Sequence, residues 1–238
     1  MIEFRDAAFA VGGRTLLGPL SLSVSQGETL VLLGSSGAGK TTALRLINAL
    51  LLPSAGDVLV EGRSTGAWDP VALRRRIGYV IQEIGLLPHL TVEQNVGLVP
   101  RLERWPRARI RARVAELLDV VRLPAADFAK RLPRELSGGQ RQRVGVARAL
   151  AADPPMLLCD EPFGAVDPLA RQELQGEFRA LAERFGKTVV FVTHDVREAL
   201  TLARHVALLE GGRVAFLGSV EEFGRSTAPR VAALRELA

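Results

Sequence analysis

The sequence contains a single cysteine, Cys159, which excludes any intramolecular disulfide framework. It lies in the apolar run Met156-Leu157-Leu158-Cys159 and reads as a small buried strand residue rather than a reactive thiol. Lysine is nearly absent as well. Only Lys40, Lys130 and Lys187 stand among the 31 basic residues, so the positive charge is carried by arginine. Long apolar runs are missing. The stretch Leu46 to Leu52 is interrupted by Asn48 and stopped by Pro53, far short of the ~18 residues of a membrane span. The N-terminus sets Glu3, Arg5 and Asp6 in a strand-like alternation. It does not read as a signal peptide, and the product is expected to stay in the cytoplasm. There is no internal repeat, low-complexity tract or coiled-coil insert.

What remains suits one large α/β domain: 238 residues, 47% of them hydrophobic, with a net charge of +5. That charge is compatible with nucleic acid or an anionic membrane surface and does not separate them. Ile2 to Phe9 and Leu20 to Val24 alternate like half-exposed strands. Thr29 to Leu33, Met156 to Asp160 and Thr188 to Thr193 are continuous apolar runs, as expected of strands buried on both faces. Shorter strands are expected at Val58–Val60, Ile77–Ile81, Val206–Leu209 and Arg213–Leu217, the last two joined at Gly211-Gly212. Helices are expected over Lys40–Leu50, Gln140–Ala151, Pro168–Phe185 and Val196–Ala203. Strands alternating with helices imply a mainly parallel sheet.

Residues 83–136 differ. Five prolines break them into short helical pieces, and Ile110, Val114, Leu117, Leu118 and Val121 mark one amphipathic helix. This reads as an inserted helical subdomain in a single domain, with 1–82 and 137–238 supplying the core and a β subdomain. Arg101, Arg104, Arg107, Arg109, Arg111 and Arg113 crowd its start. A solvated helix face explains such a run most simply, with a membrane-facing or partner-facing patch as the second reading.

Gly34-Ser35-Ser36-Gly37-Ala38-Gly39-Lys40-Thr41 fits the phosphate-loop pattern, between a strand and a helix. Glycines let backbone N–H groups turn toward phosphate oxygens, and the helix presents its positive end. Lys40 is expected at the β- and γ-phosphates and the Thr41 hydroxyl on Mg²⁺, with Thr42 next in the same turn. A chain that otherwise writes arginine keeps lysine where a compact ammonium must fit. Asp160 and Glu161 end a buried strand, at the edge where open α/β sheets bind ligands. His89 and His205 match no catalytic position and read as structural.

Leu136-Ser137-Gly138-Gly139-Gln140, after a phosphate loop and before an acidic strand end, resembles the signature of the ATP-binding cassette (ABC) ATPases. The motifs run from residue 34 to 194, so the resemblance covers essentially the whole chain. It implies the cassette fold: an α/β P-loop NTPase with a mainly parallel sheet core, an antiparallel N-terminal β subdomain and an inserted helical subdomain. It also implies ATP with Mg²⁺, and a second copy whose ATP is closed over by Ser137, Gly138, Gly139 and Gln140. By the same resemblance Asp160 holds Mg²⁺ and Glu161 is the general base. Gln82 meets metal and lytic water and couples to a membrane subunit, His194 contacts the γ-phosphate, and Asp167 belongs to a loop between two nucleotide sites. Val11 departs from the family, which usually offers an aromatic ring to adenine there, so weakened base discrimination is expected.

The run IGYVIQEIGLLPHLTVEQNV at 77–96 and Phe163 to Pro168 are similar to importers of quaternary amines and related osmoprotectants. Importers of polar amino acids, phosphate or metal ions stay open as alternatives. Relatives often continue into a tandem regulatory domain; the sequence ends at Ala238, and such regulation is expected to be absent. Permease subunits and a substrate-binding protein are the implied partners, at the cytoplasmic face of the membrane. A soluble ABC-type ATPase acting on nucleic acid is the rival class. It usually carries two cassettes or a long coiled-coil insert, so no nucleic-acid partner is expected.

Overall fold

The computed structural model describes residues 1–82, 85–164, 166 and 168–236. The chain begins with β1 (Ile2–Val11), β2 (Arg14–Val24), β3 (Thr29–Leu33), α1 (Lys40–Ile47), β4 (Ala55–Val60), β5 (Arg63–Ser64) and α2 (Pro70–Arg75). It continues through β6 (Ile77–Val80), α3 (Val92–Val96), α4 (Leu98–Leu102), α5 (Arg107–Val120), α6 (Ala125–Phe128), α7 (Gly138–Leu150), β7 (Met156–Asp160) and α8 (Pro168–Arg184). It closes with β8 (Thr188–Thr193), α9 (Val196–Leu202), β9 (His205–Glu210), β10 (Arg213–Ser219), α10 (Val220–Arg225) and α11 (Pro229–Glu236). Two compact units result: Met1–Arg74 with Ala182–Ala238, and Arg75–Leu181. No helix among the described residues is long and apolar enough to cross a membrane.

In the first unit β3 lies between β8 and β9 and is parallel to both, and β10 pairs antiparallel with β9. Leu30 to Leu33 and every residue of β8 are buried, which explains why their sequences are continuous apolar runs without alternation. Each such leucine contributes roughly 1.5–3 kcal/mol by leaving water, against about 1 kcal/mol net for a backbone hydrogen bond. Burial therefore fixes the place of these strands. A separate antiparallel sheet runs β2-β1-β4-β5. Its β1–β2 hairpin extends beyond the expected strand ends because Gly12 and Gly13 both take positive φ (58° and 74°), the conformation of a two-residue turn matched to strand twist. The β4–β5 turn is Glu61-Gly62, also with both φ positive. Glu61 gives no sequence cue for that geometry, and β5 escaped notice.

α1 stops at Ile47, three residues before the expected end. Asn48 caps it, its Oδ1 accepts from the Leu50 amide at 3.1 Å, and Ala49 turns left-handed. Asn and the Pro53 beyond it suit a helix end better than an interior.

In the second unit β6 and β7 pair in parallel, with Val80 opposite Cys159. α5 buries Val114, Leu117 and Leu118, and Val121 closes the same face, while Ile110 is only half-buried. Arg113 departs from the solvated face expected of the arginine run. It is half-buried, pairs with Glu116 at 2.9 Å and Asp153 at 3.7 Å, and donates to the Leu150 carbonyl. α7 presses its last turn onto β6. A Cβ built on Gly78 would lie 2.4 Å from the Ala149 carbonyl oxygen and 2.5 Å from Leu157 Cδ2. Gly78→Ala is therefore expected to force helix and strand apart at a cost of roughly 1–3 kcal/mol, read as a drop of several degrees in melting temperature; an unchanged melt contradicts the close packing.

Candidate functional site

In the first unit the loop after β3 needs its glycines. Gly34 has φ 155° and a Cβ there would sit 2.4 Å from the Leu209 carbonyl oxygen; Gly39 has φ 97° and a Cβ would meet the Leu16 carbonyl at 2.8 Å. Gly39 is also the N-cap of α1 and offers no side-chain bond to the helix's first amides. The first turn of α1 thus stands at the positive end of the helix dipole, where anions bind. Ser35, Ser36 and Gly37 form the exposed rim, Ala38 is buried, and Thr41 and Thr42 are half-buried in the first turn. Lys40 is 5% exposed, and its ammonium donates to the Gly34 carbonyl at 2.7 Å and the Ser35 carbonyl at 2.8 Å. A buried cation is tolerable only because oxygens surround it. The geometry holds that cation against the carbonyls at the start of the glycine loop. By contrast Lys187 is buried just before β8 and Lys130 is exposed, and neither follows a run of glycines like that at 34–39.

His194 leaves β8 beside this loop. The register sets Leu33 opposite Thr193, so Gly34 and His194 emerge from neighbouring parallel strands at one edge. The turn that carries His194 is pinned from below by residues that sequence reasoning missed. The buried Thr193 hydroxyl donates to buried Glu198 and accepts from the Asp195 amide at 3.0 Å. Asp195 in turn caps α9 through the Arg197 amide at 2.8 Å. A Thr five residues before a Glu is too common to have signalled this. His205, read as structural, pairs with buried Glu28, whose other oxygen accepts from the Ser25 amide.

In the second unit the same edge logic brings Gln82 and the acidic pair together. Gln82 follows β6, Asp160 ends the adjoining β7 and Glu161 is the first residue past it. Asp160 is 9% exposed. Glu161 has φ 43°, a left-handed conformation for a residue followed by Pro162. Such a backbone costs roughly 1–3 kcal/mol and persists where its surroundings over-determine it, which is common at functional positions. The Glu161 carbonyl accepts from Gly164, and Phe163 packs edge-on against Phe178 at 6.1 Å, holding the following turn. Asp167 lies outside the described residues. Burial and the neighbouring Asp160 push the Cys159 thiol well above its ordinary range, so it stays an inert core residue.

Ser137 is the N-cap of α7. Its Oγ accepts from the Gln140 amide at 3.2 Å, and Gln140 Oε1 accepts from the Ser137 amide at 2.9 Å. This reciprocal box starts the helix at Gly138, two residues earlier than expected, and sets Gly138 and Gly139 in its first turn. The exposed Ser137 hydroxyl and two side-chain-free residues thus stand at the positive end of a 13-residue helix. Beyond Gln82 a further organiser went unread. Asn95 is fully buried; its Oδ1 accepts from Leu87 N at 2.8 Å, and its Nδ2 donates to the Leu87, Leu90 and Thr91 carbonyls. Val11 is 58% exposed at the end of β1. Among the described residues no group of three His, Cys, Asp or Glu converges as a metal site.

Comparison with known proteins finds a match to the ABC transporter family model over residues 17–164. The chain is 47% identical over 217 residues to the glycine betaine/carnitine/choline transport ATP-binding protein OpuCA of Bacillus subtilis, covering 91% of this chain and 57% of that protein. It is 51% identical over 203 residues to the osmoprotectant import ATP-binding protein OsmV of Salmonella typhimurium, covering 85% and 53%. It thus spans little more than half the length of these relatives. Among solved structures, the dimeric post-hydrolysis state of the ATP-binding cassette MJ0796 bound to ADP and Pi superposes with a TM-score of 0.82 at 33% identity, covering 92% of this chain and 99% of that one.

Proposed function

Because the chain belongs to the ABC transporter family, we propose that it is the ATP-hydrolysing subunit of a solute importer for quaternary amines and related osmoprotectants. The observation that carries the reading is the glycine loop with Lys40 buried at its centre and bonded to Gly34 and Ser35. A cation held in a glycine loop at a helix N-terminus suits a polyphosphate.

Lys40 meets the β- and γ-phosphates, with the amides from Gly34 to Thr42 around them. Thr41, Gln82 and Asp160 would hold Mg²⁺. An alcohol, an amide and a carboxylate give an all-oxygen set that suits this ion, and Gln82 and Asp160 leave neighbouring parallel strands. Bound there, Mg²⁺ neutralises developing charge on the phosphates. Glu161, held by its strained backbone, takes the proton of the attacking water, and His194 steadies the γ-phosphate. Ser137 to Gln140 act on the nucleotide of a second copy, a role supported by the dimeric state of the solved cassette. Asp167 is assigned to the same contact between copies.

The permease partner, the substrate-binding protein and a place at the cytoplasmic face of the membrane follow from the importer reading. A groove of about 670 Å³ in the second unit supports a partner-facing surface: Ile110, Val114 and Ala115 line it, and Arg101, Arg107 and Arg111 stand on it. The cargo assignment draws on the names of the relatives, which are for glycine betaine, carnitine, choline and osmoprotectants.

Glu161→Gln should bind ATP normally and slow turnover by about 10²-fold or more; hydrolysis at the parental rate rejects the base assignment. Val11→Tyr restores a ring for adenine worth ~1 kcal/mol, about a fivefold tighter ATP Kd by titration, and an unaltered Kd rejects the stacking position. For cargo, the subunit co-purified with its permease and reconstituted should take up labelled choline or glycine betaine in an ATP-dependent manner, and uptake of amino acids instead would overturn the osmoprotectant class.

A further inference from the structure

Two segments assigned to ATP turnover meet opposite ends of a single helix. α7 starts at the Ser137–Gln140 box. Ten residues on, about 15 Å along the axis, it carries Arg148. The Arg148 Nη1 donates to the Gly85 carbonyl at 2.6 Å, three residues past Gln82. A basic residue in the last turn of a helix is ordinary, since it meets the negative end of the dipole. Arg148 does more: its guanidinium reaches a carbonyl 63 positions away in sequence. Burial lowers its pKa from the ordinary value, and an arginine kept half-buried needs oxygen partners to offset its desolvation.

Close packing and hydrogen bonds flank the contact. The helix cannot slide on β6, because Ala149 and Gly78 touch through backbone with no room for a Cβ. The segment cannot lift away freely, because Asn95 bonds Leu87 and Leu90. Gly85 itself has φ 53°, a left-handed conformation that glycine adopts without a Cβ penalty.

We propose that Arg148 is a positioning residue for ATP turnover: it ties Gly85, three residues past Gln82, to the helix whose other end is the signature, so that the two segments move as one piece. The inference rests on the reading of the chain as an ATPase. It assigns Arg148 no contact with nucleotide, so ATP affinity and turnover should separate when it is changed.

The test uses the full chain with Arg148→Gln and Arg148→Lys. Arg148→Gln should keep the ATP Kd within about twofold while kcat falls about 10- to 100-fold, the scale expected when a reacting group is misplaced by an ångström. Arg148→Lys, whose ammonium can still meet the Gly85 carbonyl, should recover most of that rate. Amide hydrogen exchange supplies the readout that a merely structural role would not move. In the Glu161→Gln background with ATP bound, protection should appear at both 85–90 and 137–141, and Arg148→Gln should uncouple the two segments. An unchanged kcat, a Kd that rises in step with the loss, or a lysine variant no better than glutamine overturns the proposal. If Arg148→Gln does not fold, the lysine variant carries the test: near-parental kcat with paired protection supports the tie, and separated protection overturns it. If the parent hydrolyses no ATP, the function reading has failed, and exchange without nucleotide decides the tie. Faster exchange at 85–90 in Arg148→Gln supports it, and unchanged exchange overturns it.

Discussion

Lys40, Gln82, Asp160, Glu161 and His194 all follow or end a buried parallel strand, whereas the Ser137–Gln140 box opens a helix. Neighbouring strands satisfy the backbone of β3 and β8 in the first unit and of β6 and β7 in the second. Past Leu33, Val80, Asp160 and Thr193 the chain must turn, and its polar groups need new partners. The turn after β3 is made by left-handed glycines, the one after β7 by a strained Glu161, and the one after β8 by the Thr193–Glu198 bond. Because the strands are buried on both faces, their ends are fixed by core packing to a fraction of a residue. Chemistry that needs several groups at once can be built there without long loops holding it.

That constraint also decides what could be read from sequence. Thr29–Leu33, Met156–Asp160 and Thr188–Thr193 came out with the expected bounds, because a strand buried on both faces leaves an unbroken apolar run between turn residues. The glycine loop was legible because its chemistry demands glycine, lysine and threonine at fixed offsets. The LSGGQ segment was legible as a motif, but its helix was placed two residues late, since two glycines argue against a helical turn unless the Ser137–Gln140 box is weighed.

What stayed hidden was long-range or non-canonical in residue choice. Glu61 does the work of Asn or Gly in the β4–β5 turn. Asn95 spends both ends of its amide on a loop eight to four residues behind it, and nothing in its neighbours announces that. Arg113 sat in a run of arginines that looked uniformly solvated, yet its partners Leu150 and Asp153 come from another part of the unit. Partner identity for a long polar side chain is a property of the packed state, and only hydrogen-bond geometry reveals it.

The scarcity of lysine has a practical side. Of the three, Lys40 and Lys187 are buried and Lys130 alone is exposed. Guanidinium groups do not react with the activated esters that modify amines, so the many arginines offer no competing handle. Apart from the chain's α-amino group, a label, tether or surface coupling directed at amines has one accessible side chain, and the phosphate loop is shielded from it by its own fold. Among the lysines, Lys130 is thus the one side chain open to oriented attachment.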